Sequence, residues 1–305
     1  MRITAVVVNW NGGAANVACL AVLQGAALAQ IVFVDNASSD GSLELVRESF
    51  PCVEILRNDA NLGFGEASNL GAKRAVELGC DALLFVNNDV LLRPNELEKL
   101  VRELERDPSL GFVGPRVLDA RDPTRIWAAG GKLSWRQNLT TLIGQGEPDG
   151  QRFHATRDVD YVVGCALLAR REAFENASGF DGRYFAYSED VDLALRAKRL
   201  GGGSRVVGEA CALHLPSSST GGGYNPRRKY MMGVNSIWFL REHAKPRHWI
   251  SFFVFDVASL PFVGLLELSR GRGRAVLAKA LGIFHGLRGR RVDARALEAG
   301  GTFLW

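Results

Sequence analysis

Four short apolar runs near the amino end of the chain each give way to asparagine or aspartate, and a helical stretch follows each one. Ile3–Val8 is continuous and β-branched, the pattern of a parallel strand buried on both faces. Asn11-Gly12-Gly13 closes it, and Ala14–Leu28 reads as helix. Ile31–Val34, Val53–Leu56 and Ala82–Val86 repeat the strand pattern. Helices are expected over Ser42–Phe50 and Phe64–Leu78, and over Pro94–Arg106 with proline at the first helical position. Alternation of this kind demands right-handed βαβ crossovers in a parallel sheet. The fold class is therefore α/β, a mostly parallel twisted sheet flanked by helices.

Ligands of open parallel sheets sit beyond the carboxyl ends of the strands. Here those ends are polar: Asn9 and Asn11, then Asp35 and Asn36, then Asn58 and Asn61, then Asn87, Asn88 and Asp89. Helix and turn capping accounts for some of them, Ser38 and Asp40 first. It does not account for four successive strand ends. No GxGxxG or Walker A pattern follows the first strand, which excludes the dinucleotide and P-loop readings. Asp35 and Asp89 suit a nucleotide held by an acid on its base or ribose and by a hard divalent ion, Mg²⁺ or Mn²⁺, on its phosphates.

Beyond residue 110 the pattern loosens. Gly111–Val117 and Tyr161–Ala169 read as strands, and the glycine-rich stretch Asp119–Asp158 between them as an irregular substrate loop. Arg171–Asn176 and Glu189–Leu200 read as helices, Val206–Leu213 as extended, and Ser217–Gly223 as a mobile loop. Pro226–His243, Trp249–Leu268 and Arg274–Leu287 are helix-compatible. There is no internal repeat. On the helix opened by Glu189-Asp190, Asp190 shares a face with Leu193, Ala194 and Ala197, which turns it toward the cleft. Asp192 and Arg196, four apart, are expected to pair outward.

These residues resemble a family. Val6-Val7-Val8-Asn9-Trp10-Asn11, the run from Val34-Asp35-Asn36 to Asp40-Gly41-Ser42, Asn61-Leu62-Gly63-Phe64-Gly65, Asn87-Asn88-Asp89 and the block from Gly179-Phe180-Asp181 to Ser188-Glu189-Asp190-Val191-Asp192 look like a family 2 glycosyltransferase. The resemblance covers residues 3–240 and is strongest to the rhamnosyltransferase-like enzymes of bacterial surface polysaccharide synthesis. It implies a GT-A fold, a nucleoside-diphosphate sugar donor (dTDP or UDP), a divalent metal and inversion at the anomeric carbon. It places Asp35 on the nucleotide base with Asn9 in the same pocket, and Asn61, Asn69, Asn87, Asn88 and Asp89 along the donor. Asn87-Asn88-Asp89 replaces the family's Asp-x-Asp, so Asp89 is left as main metal ligand, joined by His214. Asp190 falls at the general base, with Gly164 and Glu189 on the acceptor side. The acceptor implied is a glycan, free or linked to a polyprenyl diphosphate. A sugar nucleotidyltransferase is the alternative, and should carry a glycine-rich phosphate loop. A non-catalytic membrane scaffold, the other alternative, should have lost Asp89 or Asp190.

Charge divides the chain unevenly. The whole carries +4, yet eight basic residues after Leu268 face only Asp293 and Glu298, a local +6, leaving the first 268 residues at −2. So mild a total does not point to nucleic acid. Trp249–Leu268 is long enough to span a bilayer, but Asp256 and Pro261 interrupt it and basic residues flank both ends. The reading adopted is a helical, basic tail over 246–305 lying on the cytoplasmic face of an anionic membrane. It follows a 1–245 catalytic domain, with 1–110 its nucleotide half and 111–245 its acceptor half. The competing reading packs the tail helices on the domain, or on a second copy in a homodimer. Five scattered cysteines without a CxxC suit a reducing compartment, and the start is too short for a signal peptide.

Overall fold

The structure is a computed structural model and describes residues 1–136, 138–215, 224–298, 300–302 and 304–305. Strands β1 (Ile3–Asn9), β2 (Gln30–Asp35), β3 (Glu54–Arg57) and β4 (Ala82–Asn87) alternate with helices α1 (Ala15–Gln24), α2 (Ser42–Ser49) and α3 (Phe64–Glu77). Then come β5 (Val90–Leu91), α4 (Pro94–Arg106), β6 (Leu110–Asp119), β7 (Asp122–Ala128), β8 (Gly131–Leu133), β9 (Thr140–Leu142), β10 (Arg157–Asp158), β11 (Ala166–Arg170), α5 (Arg171–Asn176), α6 (Glu189–Arg199) and β12 (Gly203–His214). The main sheet runs β10-β12-β6-β11-β4-β1-β2-β3. Its β3-β2-β1-β4 half is wholly parallel, as the alternation requires. In the other half β11 runs antiparallel to both β4 and β6, so the sheet is mixed. The chain leaves β1 for β2 on one side and returns to β4 on the other, which puts the switch point at the end of β1.

Both faces of the sheet are covered. Side chains alternate along each strand, so Ala5, Val7 and Phe33 enter one core while Val6, Val32 and Val34 enter the other. Helix α3 lies close on the second face because Gly71 has no side chain; a Cβ there would stand 2.9 Å from Val34 and overlap Val6. One expected strand is shorter than its apolar run. Tyr161–Ala169 is strand only from Ala166, because the Gly164 N–H is drawn to the Asp190 carboxylate at 2.9 Å. The stretch Asp119–Asp158 is less irregular than its composition suggested, since β7 and β10 both join the main sheet. The loop Ser217–Gly223 lies outside the described residues.

Two compact units form. The first gathers Met1–Lys132, Leu142–Asp181 and Asp190 onward through β12. The second gathers Leu133–Thr141, Gly182–Glu189 and the described residues from Tyr224 to Trp305. It therefore takes in α7 (Pro226–His243), which the sequence reading assigned to the 1–245 domain. The reason is a glycine-mediated helix pair. Helix α10 (Gly273–Leu287) follows α8 (Pro246–Phe252) and α9 (Leu260–Leu268) and packs along α7. A Cβ at Gly233 would stand 2.5 Å from the Lys279 carbonyl, and one at Gly286 2.9 Å from the Val234 carbonyl. Cutting the chain near 245 would strip α10 from the buried face of α7.

Asp256 does not interrupt an apolar surface. It lies in a π-helical turn, Phe253–Val257, that carries it inward. It is 1% exposed, ion-paired with the buried Lys279 ammonium, and accepts the Asn138 N–H at 3.2 Å on both oxygens. Removing one member of such a pair leaves a buried charge alone. Asp256→Ala is expected to lower the stability of the second unit by about 3–5 kcal/mol, with Lys279→Met in the same chain recovering part of the loss. Chemical denaturation checks this; a loss under about 1 kcal/mol would mark an exposed, unimportant pair.

Candidate active site

The carboxyl ends of β1, β2 and β4 are joined by one side chain. Asn9 is fully buried. Its Oδ1 accepts from the Gly12 N–H at 3.0 Å, Asn16 Nδ2 at 2.9 Å and Asn88 Nδ2 at 3.0 Å. Its Nδ2 lies 2.9 Å from Asp35 Oδ1, Ser38 Oγ and Ser42 Oγ. Gly12 is needed for this node, not for phosphate: a Cβ there would overlap the Asn88 amide and come 2.7 Å from Asn9 Oδ1. Asn16 was missed in the sequence because it lies in the first turn of α1, beyond the polar strand end that marked Asn9 and Asn11. Asn9 and Asp35, expected along the donor pocket, are both fully buried. Asp35 is fully buried, with Oδ2 accepting the Ser38 N–H at 3.2 Å. Asp40 accepts the Ser42 N–H at 3.0 Å, the capping role expected of it.

A second asparagine node follows β3. Asn36 donates to Asn61 Oδ1 at 2.8 Å and to the Gly63 carbonyl at 3.1 Å, and accepts from Asn58 Nδ2 and the Leu62 N–H at 3.0 Å. Asn61 thereby borders the same edge. Asn69 does not: its amide grips both backbone groups of Phe180, at 2.8 and 2.9 Å. It is brought to the Gly179–Phe180 turn on the way to α6. The Asp192–Arg196 pair serves that turn as well. It was expected outward, but Asp192 is wholly buried, 2.6 Å from Arg196 Nη2. The Arg196 guanidinium donates to the Gly179 carbonyl at 2.8 Å and to the Ala177 carbonyl. Ser178 and Gly179, both at positive φ, need that clamp.

Asp89 and His214 meet because β12 pairs with β5, which sets His214 opposite Val90. Nε2 of His214 lies 3.4 Å from Asp89 Oδ1, and both side chains are about nine-tenths buried. Asp89 Oδ1 and His214 Nδ1 are buried with no hydrogen-bond partner among the described residues. Such orphaned groups call for an absent partner. One carboxylate and one imidazole suit a divalent cation that takes its remaining ligands from phosphate and water. Among the described residues no cluster of three or more His, Cys, Asp or Glu is placed to hold a metal without that help. Asn88 is held in the Asn9 node, while Asn87 stays half-buried beside it at the end of β4.

Asp190 is half-buried at the start of α6, its Oδ2 accepting from the Gly164 N–H at 2.9 Å and its Oδ1 from the Val191 N–H at 2.8 Å. Gly164, expected to touch the acceptor, uses its N–H to hold this carboxylate. Glu189 is buried. Burial pushes the Asp190 carboxyl above the ordinary carboxylate range, against the pull of the two N–H groups. The buried Cys165 thiol feels both acids: burial, then Asp89, then Asp190 push it well above its usual range. Asp89 and Asp190 thus converge on one place beyond β4 and β11.

The comparisons with known proteins decide the family. Residues 6–177 match the family model described as Glycosyl transferase family 2. The chain belongs to glycosyl transferase family 2. This glycosyltransferase is 32% identical over 213 residues to the N-acetylglucosaminyl-diphospho-decaprenol L-rhamnosyltransferase of Mycobacterium tuberculosis, covering 63% of this chain and 68% of that one. It is 24% identical to the rhamnosyltransferase WbbL of Escherichia coli K12, over 50% of this chain and 60% of that one. Among solved structures, the mannosyltransferase PcManGT of Pyrobaculum calidifontis, in complex with GDP-Man and Mn²⁺, superposes with TM-score 0.60 at 17% identity over 95% of this chain and 88% of that one. GalNAc-T7 with UDP, GalNAc and Mn²⁺ gives 0.59 at 15% identity, over 85% and 56%. These likenesses establish the GT-A fold.

A base works when deprotonated, so a raised pKa moves the acid limb of its pH profile upward. For this glycosyltransferase, kcat/KM is expected to rise with pH through a limb above the unperturbed value of about 3.9. Asp190→Asn should lose that limb and about 10²–10⁴ in turnover while keeping nucleotide binding. Near-native turnover would remove Asp190 from the chemistry.

Proposed function

We propose that this enzyme transfers a hexosyl unit, rhamnose favoured, from a dTDP- or UDP-sugar to a glycan or polyprenyl-diphosphate-linked glycan, with inversion. The observation that carries this reading is the convergence of a carboxylate of raised pKa with an orphaned Asp–His pair at the switch point of the sheet. The similarity to the mycobacterial rhamnosyltransferase supports the sugar and the lipid-linked acceptor.

Asp190 takes the proton of the acceptor hydroxyl as that oxygen attacks the anomeric carbon in line. The Gly164 N–H holds the carboxylate in place, and α6 is fixed behind it by Arg196 and Asn69. The nucleoside diphosphate leaves from the opposite face. Asp89 and His214 would hold a divalent ion, Mg²⁺ or Mn²⁺, whose charge stabilises the departing diphosphate. Asp35 takes the base side of the donor, held there by the Ser38 N–H at 3.2 Å and by Asn9 at 2.9 Å. Asn61, Asn87 and Asn88 border the donor along the same edge.

The test is product formation from dTDP-rhamnose and from a panel of UDP-sugars on an N-acetylglucosaminyl-diphospho-lipid, with anomeric configuration read by NMR. Rhamnosyl transfer with inversion is expected; retention, or transfer from none of the donors, overturns the reading. In the same assay Asp89→Ala and His214→Ala should weaken Mn²⁺-dependent binding of the nucleoside diphosphate more than binding of the bare nucleoside. Equal losses for the two ligands would contradict a phosphate-side metal.

The tail is proposed to hold the enzyme on the cytoplasmic face of the membrane. The helical run Pro246–Leu268 has 23 residues and a mean hydropathy of 1.9, and little of it is buried. With Asp256 turned inward, Phe253, Phe262, Leu265, Leu268, Leu277 and Phe284 stay exposed among arginines. Apolar burial resists salt, whereas attraction to anionic lipid, worth about 1 kcal/mol per basic residue, is screened. The full chain is expected to sediment with anionic vesicles, more weakly with neutral ones, and to be released only in part by high salt. Indifference to vesicles would leave the apolar face to a second copy of the chain.

A further inference from the structure

Lys229 is a cation in need of an anion. It stands in the first turns of α7, half-buried, its ammonium 4.3 Å from the centroid of the Tyr224 ring. Among the described residues its ammonium makes no hydrogen bond and no ion pair. Its surroundings are over-supplied with positive charge. Asp256 faces the same small pocket but is already engaged by Lys279 and the Asn138 N–H. Glu267 accepts from Arg270 at 2.9 Å through Oε1, while its buried Oε2, without a hydrogen-bond partner among the described residues, lies 3.9 Å from Arg272. The Arg272 guanidinium comes 5.9 Å from the Tyr224 ring, and Arg228 sits over Tyr187 at 5.2 Å. Burial, then Lys279 and Arg228, bring the Lys229 amine down to about 8. A desolvated ammonium without a counter-charge is costly unless a ligand supplies one. The pocket is also lined by Ser259, whose hydroxyl donates to the Phe255 carbonyl at 2.6 Å, and by Leu260 and Val263 of the apolar helix α9.

We propose that Lys229, Tyr224 and Arg272 form a binding site for the phosphate group of a lipid. The two cations take the phosphate oxygens beside the Tyr224 ring, and the chain of the lipid lies along the exposed apolar side of α9. The inference rests on the interfacial placement of the tail. Two sources share this chemistry, a bilayer phospholipid and the diphosphate of a lipid-linked acceptor.

The test is amine labelling of the full chain at pH about 8, read residue by residue by mass spectrometry, where Lys229 should react ahead of the exposed Lys198. The probes are vesicles of phosphatidylcholine, vesicles rich in phosphatidic acid, geranyl diphosphate in solution and inorganic diphosphate. A probe at about ten times its dissociation constant should slow Lys229 labelling by about tenfold and leave Lys198 unchanged. Protection by phosphatidic acid vesicles alone assigns the site to the bilayer; protection by geranyl diphosphate assigns it to a lipid diphosphate. Either result carries the proposal. It is overturned if no probe protects Lys229, if Lys198 is protected equally, or if inorganic diphosphate protects as well as geranyl diphosphate. Lys229→Met should weaken binding to phosphatidic acid vesicles by about fivefold and leave binding to phosphatidylcholine unchanged. Sedimentation with vesicles but no protection sinks the site and spares the membrane reading. Protection by geranyl diphosphate without sedimentation does the reverse.

Discussion

The site depends on one buried amide. Asn9 ties the loop after β1 to the loop after β2 and to the end of β4, using its oxygen for one group of partners and its nitrogen for another. A carboxylate there would lose the donors toward Asp35 and the serines; an apolar side chain would leave Asp35, Asn16 and Asn88 buried without their bonds. Buried polar networks hold only when nearly every member is satisfied. That condition explains why Gly12 is glycine and why an asparagine in the first turn of α1 belongs to the site.

Helix α6 shows the same logic with charges. Its first turn presents Asp190 and its second is anchored by the buried Asp192–Arg196 pair. The pair is worth more as a clamp than as an ion pair. Arg196 satisfies carbonyls of a turn whose two positive-φ residues expose them, and Asn69 satisfies the next peptide along. Asp190 is thereby delivered to the Gly164 N–H on a rigid support. The role of base proposed for Asp190 depends on such placement, because proton transfer needs hydrogen-bond reach.

The second unit solves a different problem. Helices α7 and α10 meet through glycines, backbone against backbone, and Asp256 of the apolar stretch is drawn inside to meet Lys279. The consequence is an outer surface with little charge within it and arginines around it, a composition that suits the boundary between water and lipid.

Sequence alone determined the βαβ half. Continuous β-branched runs such as Ile3–Val8 can only be strands buried on both faces, and their polar ends mark the switch point by topology. Resemblance, carried by motifs in order, pointed to the family and to Asp89, His214 and Asp190. Tertiary structure decided what periodicity cannot reach. Asn9 and Asp35 are wholly buried, Asn69 clamps Phe180, and Asp192 is an inward partner, because a side chain's partners come from elements distant along the chain. Asp256 reads as a break in an apolar helix until a π-turn rotates it inward. A one-residue change in helical register is invisible in composition, yet it decides whether a charge faces solvent or the core.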